Sequence, residues 1–102
     1  MLRGKLNEYF NLLKNEDKQF LTFLKAKYPL FHKSNFFYRD FQYGIRKYME
    51  LKGIDITYSE ADKLAKELAS SFEQQQIFIP VNSQSWTLNY PEFVTVVPGD
   101  PL

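Results

Sequence analysis

The apolar residues of this chain change period at one place, and that change bounds what it can fold into. Up to Gln75 they recur every three or four residues, the spacing of a helix face; from Ile77 they alternate, the spacing of a strand. The pattern predicts an α+β chain that is mainly α, with three to four helices followed by a C-terminal β-hairpin. Its 102 residues leave room for one hydrophobic core, so residues 1–102 read as a single domain.

Leu2, Leu6, Tyr9, Phe10 and Leu13 follow helical spacing, and residues 2–14 read as an amphipathic helix. Asn15, Glu16 and Asp17 are candidate caps for a second helix carrying Phe20, Leu21, Leu24 and Tyr28. The stride from Leu13 to Phe20 and Leu24 equally permits one long helix, and both readings stay open. Pro29 ends this region, because proline disfavours helix in the residue before it. Ser34 is positioned to cap a helix over 35–52 with a stripe of Phe37, Phe41, Ile45 and Tyr48, and Gly53 supplies its stop. Ile54, Asp55 and Ile56 alternate and predict a very short strand. Thr57 and Glu60 have capping-box spacing, with Ser59 as a rival cap. The helix that follows, about 59–75, aligns Ala61, Leu64, Ala65, Leu68 and Phe72 on one face. Leu64, Leu68, Phe72, Phe41 and Ile45 are expected to share the core.

Beyond residue 76, Ile77–Val81 and Trp86–Tyr90 are two alternating runs joined by the polar turn Asn82–Ser85. Pro80 cannot donate to a ladder, which suggests an edge strand. Phe93 to Val97 is a third β-type run, and residues 98–102 read as a loose tail.

Composition narrows the function classes. Hydrophobic residues make up 44% and charged residues 25%, a globular balance. Ten Phe and seven Tyr can stabilise a small core without covalent staples, and the absence of Cys excludes disulfides, thiolate metal sites and a cysteine nucleophile. No apolar run reaches the roughly eighteen residues that span a bilayer. The first eight residues turn polar too early for a secretory signal. The expectation is a cytoplasmic protein that does not bind membrane. His32 sits in a connection with no nearby carboxylate in sequence, and no glycine pattern forms a phosphate loop. We therefore expect no catalytic residue, metal site or cofactor.

The order helix, helix, short β segment, helix, hairpin resembles a winged-helix domain. The resemblance spans residues 16–92, with 1–14 as an added helix, 59–75 in the recognition-helix position and Ile77–Tyr90 as the wing. It implies DNA binding, with that third helix in a major groove. The charges oppose this implication. Residues 59–75 hold Glu60, Asp62, Glu67 and Glu73 against Lys63 and Lys66, a balance of −2, and the wing tip 82–85 has no Lys or Arg. Affinity for phosphates comes largely from Lys and Arg.

The basic residues lie elsewhere. Residues 1–52 carry eleven Lys/Arg against five Asp/Glu, a balance of +6, and residues 53–102 carry two against seven, a balance of −5. On a helical wheel of 35–52, Phe36, Arg39, Tyr43, Arg46 and Lys47 project away from the apolar stripe. Aromatic residues with Arg are enriched at binding hot spots, so these five are the candidate partner-binding residues. The expectation is an interaction module working through protein contacts, with a DNA- or RNA-binding regulator using the basic half as the alternative. The stripe of helix 2–14 either completes the core or meets a second copy in a symmetric homodimer.

Overall fold

The capping box read at Thr57 and Glu60 is formed on both sides. The Thr57 hydroxyl accepts the Glu60 amide at 3.1 Å, and the Glu60 carboxylate accepts the Thr57 amide at 2.8 Å. It starts helix Tyr58–Gln74, whose inner face is Ala61, Leu64, Ala65, Leu68 and Phe72, all buried. In the computed structural model, which describes residues 4–93, this helix is α4 in the order α1 (Lys5–Asn15), α2 (Asp17–Lys27), β1 (Asn35–Phe37), α3 (Tyr38–Leu51), α4, β2 (Phe78–Asn82) and β3 (Ser85–Leu88). A 3₁₀ turn over Pro91–Phe93 follows. The architecture is mainly helical α+β, as the change of period predicts.

Both long helices end on left-handed residues. Gly53, at φ 76°, closes α3 while the Gly53 and Ile54 amides donate to the Glu50 and Met49 carbonyls. Gln76, at φ 61°, closes α4 in the same way, with Ile77 donating to Phe72. That is the point at which the apolar period changes.

The question of one helix or two over the N-terminal region resolves as two, with the break at Glu16. Its carboxylate accepts the Tyr48 hydroxyl at 2.5 Å and the Lys52 ammonium at 2.8 Å, which fastens the α1–α2 junction to the end of α3. Leu13 before the break and Phe20 after it both reach the core. The stripe of α1 packs on its own chain. Leu13 is buried, Leu6, Tyr9 and Phe10 lie half-buried against the core, and α1 rests on α4 and α2. Leu2 lies outside the described residues.

Three sequence expectations are corrected. Ile54–Ile56 is an irregular connection with Ile56 buried, not a strand. The β segment comes instead from Asn35–Phe37, which spacing had assigned to the start of a helix. These residues pair antiparallel with β3 (Asn35 with Thr87, Phe36 with Trp86, Phe37 with Ser85), and the Tyr38 amide donates to the Gln84 carbonyl. Ser34 caps no helix. Its carbonyl accepts the Leu88 amide and its hydroxyl accepts the Phe31 amide, so it extends the ladder. The sheet order is β1-β3-β2, and β2 with Pro80 is an edge, as expected. Of the third β-type run, Phe93 belongs to the 3₁₀ turn; residues 94–97 and the tail 98–102 lie outside the described residues.

Phe41 of α3 lies where these elements meet. Its ring is 5.9 Å from Phe20 of α2, 6.0 Å from Phe36 of β1 and 6.2 Å from Phe72 of α4. Phe78 of β2 and Trp86 of β3 approach to 5.2 and 5.5 Å in edge-on geometry. Such pairs add to the area each ring buries. Leu64, Leu68, Phe72, Phe41 and Ile45 share this core, as read from the sequence.

Two predictions concern stability. Phe41→Ala should lower the unfolding free energy in urea by about 3–5 kcal/mol, and Phe41→Leu by less; a loss below about 1 kcal/mol for the alanine variant would contradict the central place of this ring. The second concerns acid. Hydrogen bonding from Lys52 and then Tyr48 holds the Glu16 carboxyl below its usual 4.5, and Tyr38 and then Lys66 hold Asp62 below its usual 3.8. A carboxylate depressed in the folded state stabilises above its unfolded pKa, and that contribution is lost as pH falls through the folded value. Stability should therefore decline on the acid side of the ordinary carboxylate range, and Glu16→Gln should flatten that decline in urea titrations at stepped pH.

Candidate functional site

Helix α3 has two unlike faces. Residues three and four apart lie on one side of a helix, which places Phe41, Gly44, Ile45, Tyr48 and Met49 against the core. Arg39, Tyr43, Arg46 and Glu50 share the opposite side, with Lys47 and Gln42 flanking them. Close packing of the inner side depends on Gly44, where a Cβ would collide with buried Leu24 of α2.

On the outer side Tyr43 is 42% exposed, with the Lys47 ammonium 5.4 Å from its ring centroid. Lys47 also pairs with Glu50 at 3.3 Å, and that hydrogen bond holds its pKa above the ordinary lysine value. Arg46 lies over the ring of Tyr58, its guanidinium carbon 4.1 Å from the centroid, and its Nε donates to the Ile56 carbonyl at 3.3 Å. The Gln42 amide donates to the Tyr58 carbonyl at 3.3 Å. Arg39 is exposed and has no charged partner among the described residues. Between α3 and the start of α4, Arg39, Asp40, Gln42, Tyr43 and Tyr58 line a cleft of about 470 Å³.

Four of the five candidate residues, Arg39, Tyr43, Arg46 and Lys47, thus come together on one face. Phe36 does not join them. It is 2% exposed and packs on Tyr28, Phe41, Phe78 and Trp86. The helical wheel misplaces it because residues 35–37 are a strand, in which alternate side chains face opposite ways. The same alternation turns Phe37 outward, 53% exposed, although spacing had placed it in the buried stripe. Tyr58 belongs to the site and was missed. The capping box puts it at the first helical position, three residues before buried Ala61, and nothing in that spacing brings it to Arg46.

Several polar groups elsewhere are engaged in holding the fold. Asp62 accepts the Tyr38 hydroxyl and pairs with Lys66 at 3.1 Å. Burial, followed by that hydrogen bond, pushes the Tyr38 phenol well above the ordinary tyrosine range. Glu73 accepts the Trp86 indole N–H at 2.8 Å, and Glu60 closes the capping box. His32 accepts the Tyr90 amide on Nδ1 at 3.0 Å while its own amide donates to the Phe93 carbonyl, so it fastens the C-terminal 3₁₀ turn. Among the described residues no group of His, Cys, Asp and Glu is arranged to hold a metal ion, and no helix is long and apolar enough to cross a membrane. No family model, curated protein or solved structure matches this chain.

The corrected assignment separates two aromatic residues by consequence. Phe36→Ala should destabilise by about 3–5 kcal/mol, as a buried ring does, whereas Tyr43→Ala should shift stability by about 0.5 kcal/mol or less. Urea unfolding of the two variants side by side checks this, and comparable losses would place Tyr43 in the core.

Proposed function

We propose that this chain is a non-enzymatic, cytoplasmic interaction module of winged-helix-like build, working through protein contacts made by the outer face of α3. The observation that carries the reading is Tyr43 and Tyr58, exposed beside Arg39, Arg46 and Lys47 on a face the core leaves open. Tyr and Arg are the side chains that anchor protein interfaces, because they combine a large apolar area with directional hydrogen bonds. The winged-helix reading is supported by three helices, α2, α3 and α4, ahead of a hairpin whose inner strand pairs back to β1.

The position a recognition helix would occupy is taken by α4, and its chemistry suits DNA poorly. Lys66 is paired with Asp62, which leaves a mixed and net acidic face. The second reading, a DNA- or RNA-binding regulator, draws on the same α3 face, since exposed rings beside cations can stack on unpaired bases.

The test is affinity capture from the source cell by the whole chain and by its Arg39→Glu, Tyr43→Ala double variant, each with and without nuclease. A protein retained by the natural chain after nuclease and lost by the variant is the expected result. Retention that the variant does not change would overturn the reading, and retention abolished by nuclease would favour the nucleic-acid alternative.

A further inference from the structure

The three-stranded sheet has one side on the helices and one side open. Residues opposite each other in register share a face. Phe36, Phe78, Trp86 and Leu88 therefore turn to the core, and Asn35, Phe37, Ile79, Ser85 and Thr87 turn outward. Val81 follows Ile79 on the outer side, at the irregularity between Pro80 and Asn82. A sheet covered on one face ordinarily alternates apolar and polar residues, whereas a run apolar at every position marks a strand covered on both faces. Ile77, Phe78, Ile79, Pro80 and Val81 are all apolar, so β2 reads as the second kind. Yet Ile79 is 41% and Val81 57% exposed, and Phe37 of β1 stands exposed beyond them.

We propose that this outer face is a self-association surface, packed face to face on the same face of a second copy of this chain about a two-fold axis. Two observations select that occupant. The face made by Asn35, Phe37, Ile79, Val81, Ser85 and Thr87 carries no ionisable side chain. A two-fold contact sets a patch against itself, where any charge would meet its like, and a strongly charged partner would find no counter-charge here. The relief is also self-complementary. Ile79 and Val81 form a ridge along β2, and the small Ser85 and Thr87 of β3 form a row beside it, about 4.8 Å away. A two-fold axis parallel to the strands and between β2 and β3 seats the ridge of each copy on the row of the other. A third observation fixes face-on packing. The Asn89 amide donates to the Ile77 carbonyl at 2.7 Å. Bonded positions alternate along an antiparallel pair, so Phe78 and Pro80 turn their backbone groups to the free edge. There Pro80 has no N–H to offer a further strand. Three short strands make a small face beside the roughly 800 Å² per partner of a stable complex, so the dimer is weak and concentration-dependent. The inference is independent of the α3 reading, whose residues it does not use.

The experiment is sedimentation equilibrium of the full chain from micromolar to millimolar concentration, with amide shifts of labelled protein over the same range. The mass should rise from monomer to dimer and stop there, because a two-fold contact closes. The signals of Phe37, Ile79, Val81 and Thr87 should move with concentration, and moderate salt should leave the dimer unchanged. Ile79→Lys should raise the dimer Kd at least about tenfold, since it places like charges in the contact, with a urea midpoint close to the natural one. Val81→Lys, at the more exposed position, repeats the test should the first variant lose stability. Thr87→Glu should also weaken the dimer. An equal mixture of Ile79→Lys and Thr87→Glu chains should associate more tightly than either alone, because the two-fold seats the introduced ammonium on the introduced carboxylate. Leu51→Lys, which removes an exposed apolar side chain from the end of α3, should dimerise as the natural chain does. A chain that stays monomeric at millimolar concentration would overturn the proposal. So would a dimer that survives both lysine substitutions on β2 or is lost in Leu51→Lys. Growth beyond the dimer, or a mixture no tighter than its components, would overturn the two-fold arrangement.

Discussion

The packing around Phe41 is the contact on which the rest of the molecule depends. Its ring meets Phe20, Phe36, Phe72, Phe78 and Trp86, one from each of α2, β1, α4, β2 and β3. Those elements come from both halves of the chain, so the core is complete only with the hairpin packed against the helices. Trp86 illustrates the coupling. Its ring packs on Phe36, Phe41 and Phe78, while its N–H is held by Glu73 at the end of α4. A buried indole needs that partner, because a polar group removed from water without one is costly.

The same economy explains where the charges end up. Three carboxylates of α4 act as acceptors. Asp62 receives Tyr38, Glu73 receives Trp86 and Glu60 receives its own cap. Asp62 ties α4 to the start of α3, Glu73 ties it to the sheet, and Glu60 closes its first turn. Glu16 does the same at the α1–α2 junction through Tyr48 and Lys52. The outer side of α3 is among the surfaces left open, because its inner side already meets α2, α4 and the sheet. The candidate site therefore lies on the side of α3 opposite the core.

Legibility varied with the range of the interaction responsible. The break at Glu16 left one helix or two equally open, because local spacing accommodates either and the deciding hydrogen bonds come from α3. The strand at 35–37 was read as helix because Ser34 before Phe37, Phe41 and Ile45 satisfies every local rule for a helix start. Three residues are too few to show a period of two. Pairing with β3 overrode the local preference, and with it went the placement of Phe36 and Phe37. Arg39, Tyr43, Arg46 and Lys47 were placed correctly because they lie within α3, where the wheel applies.

The sequence by itself determined the elements whose signals are local. These are α4 with its capping box, the stop at Gly53, the hairpin after residue 77, the edge position of Pro80 and the place of Leu64, Leu68, Phe72, Phe41 and Ile45 in the core. These follow from periodicity, caps and backbone preference, all of which act within a few residues. Only the tertiary structure decided that β1 exists, that Phe36 is core and Phe37 surface, and that Tyr58 lies under Arg46. Each of those depends on a partner distant in sequence. A three-residue strand is stable only when another strand supplies its hydrogen bonds, and a cation over a ring requires two helices already packed at a set distance.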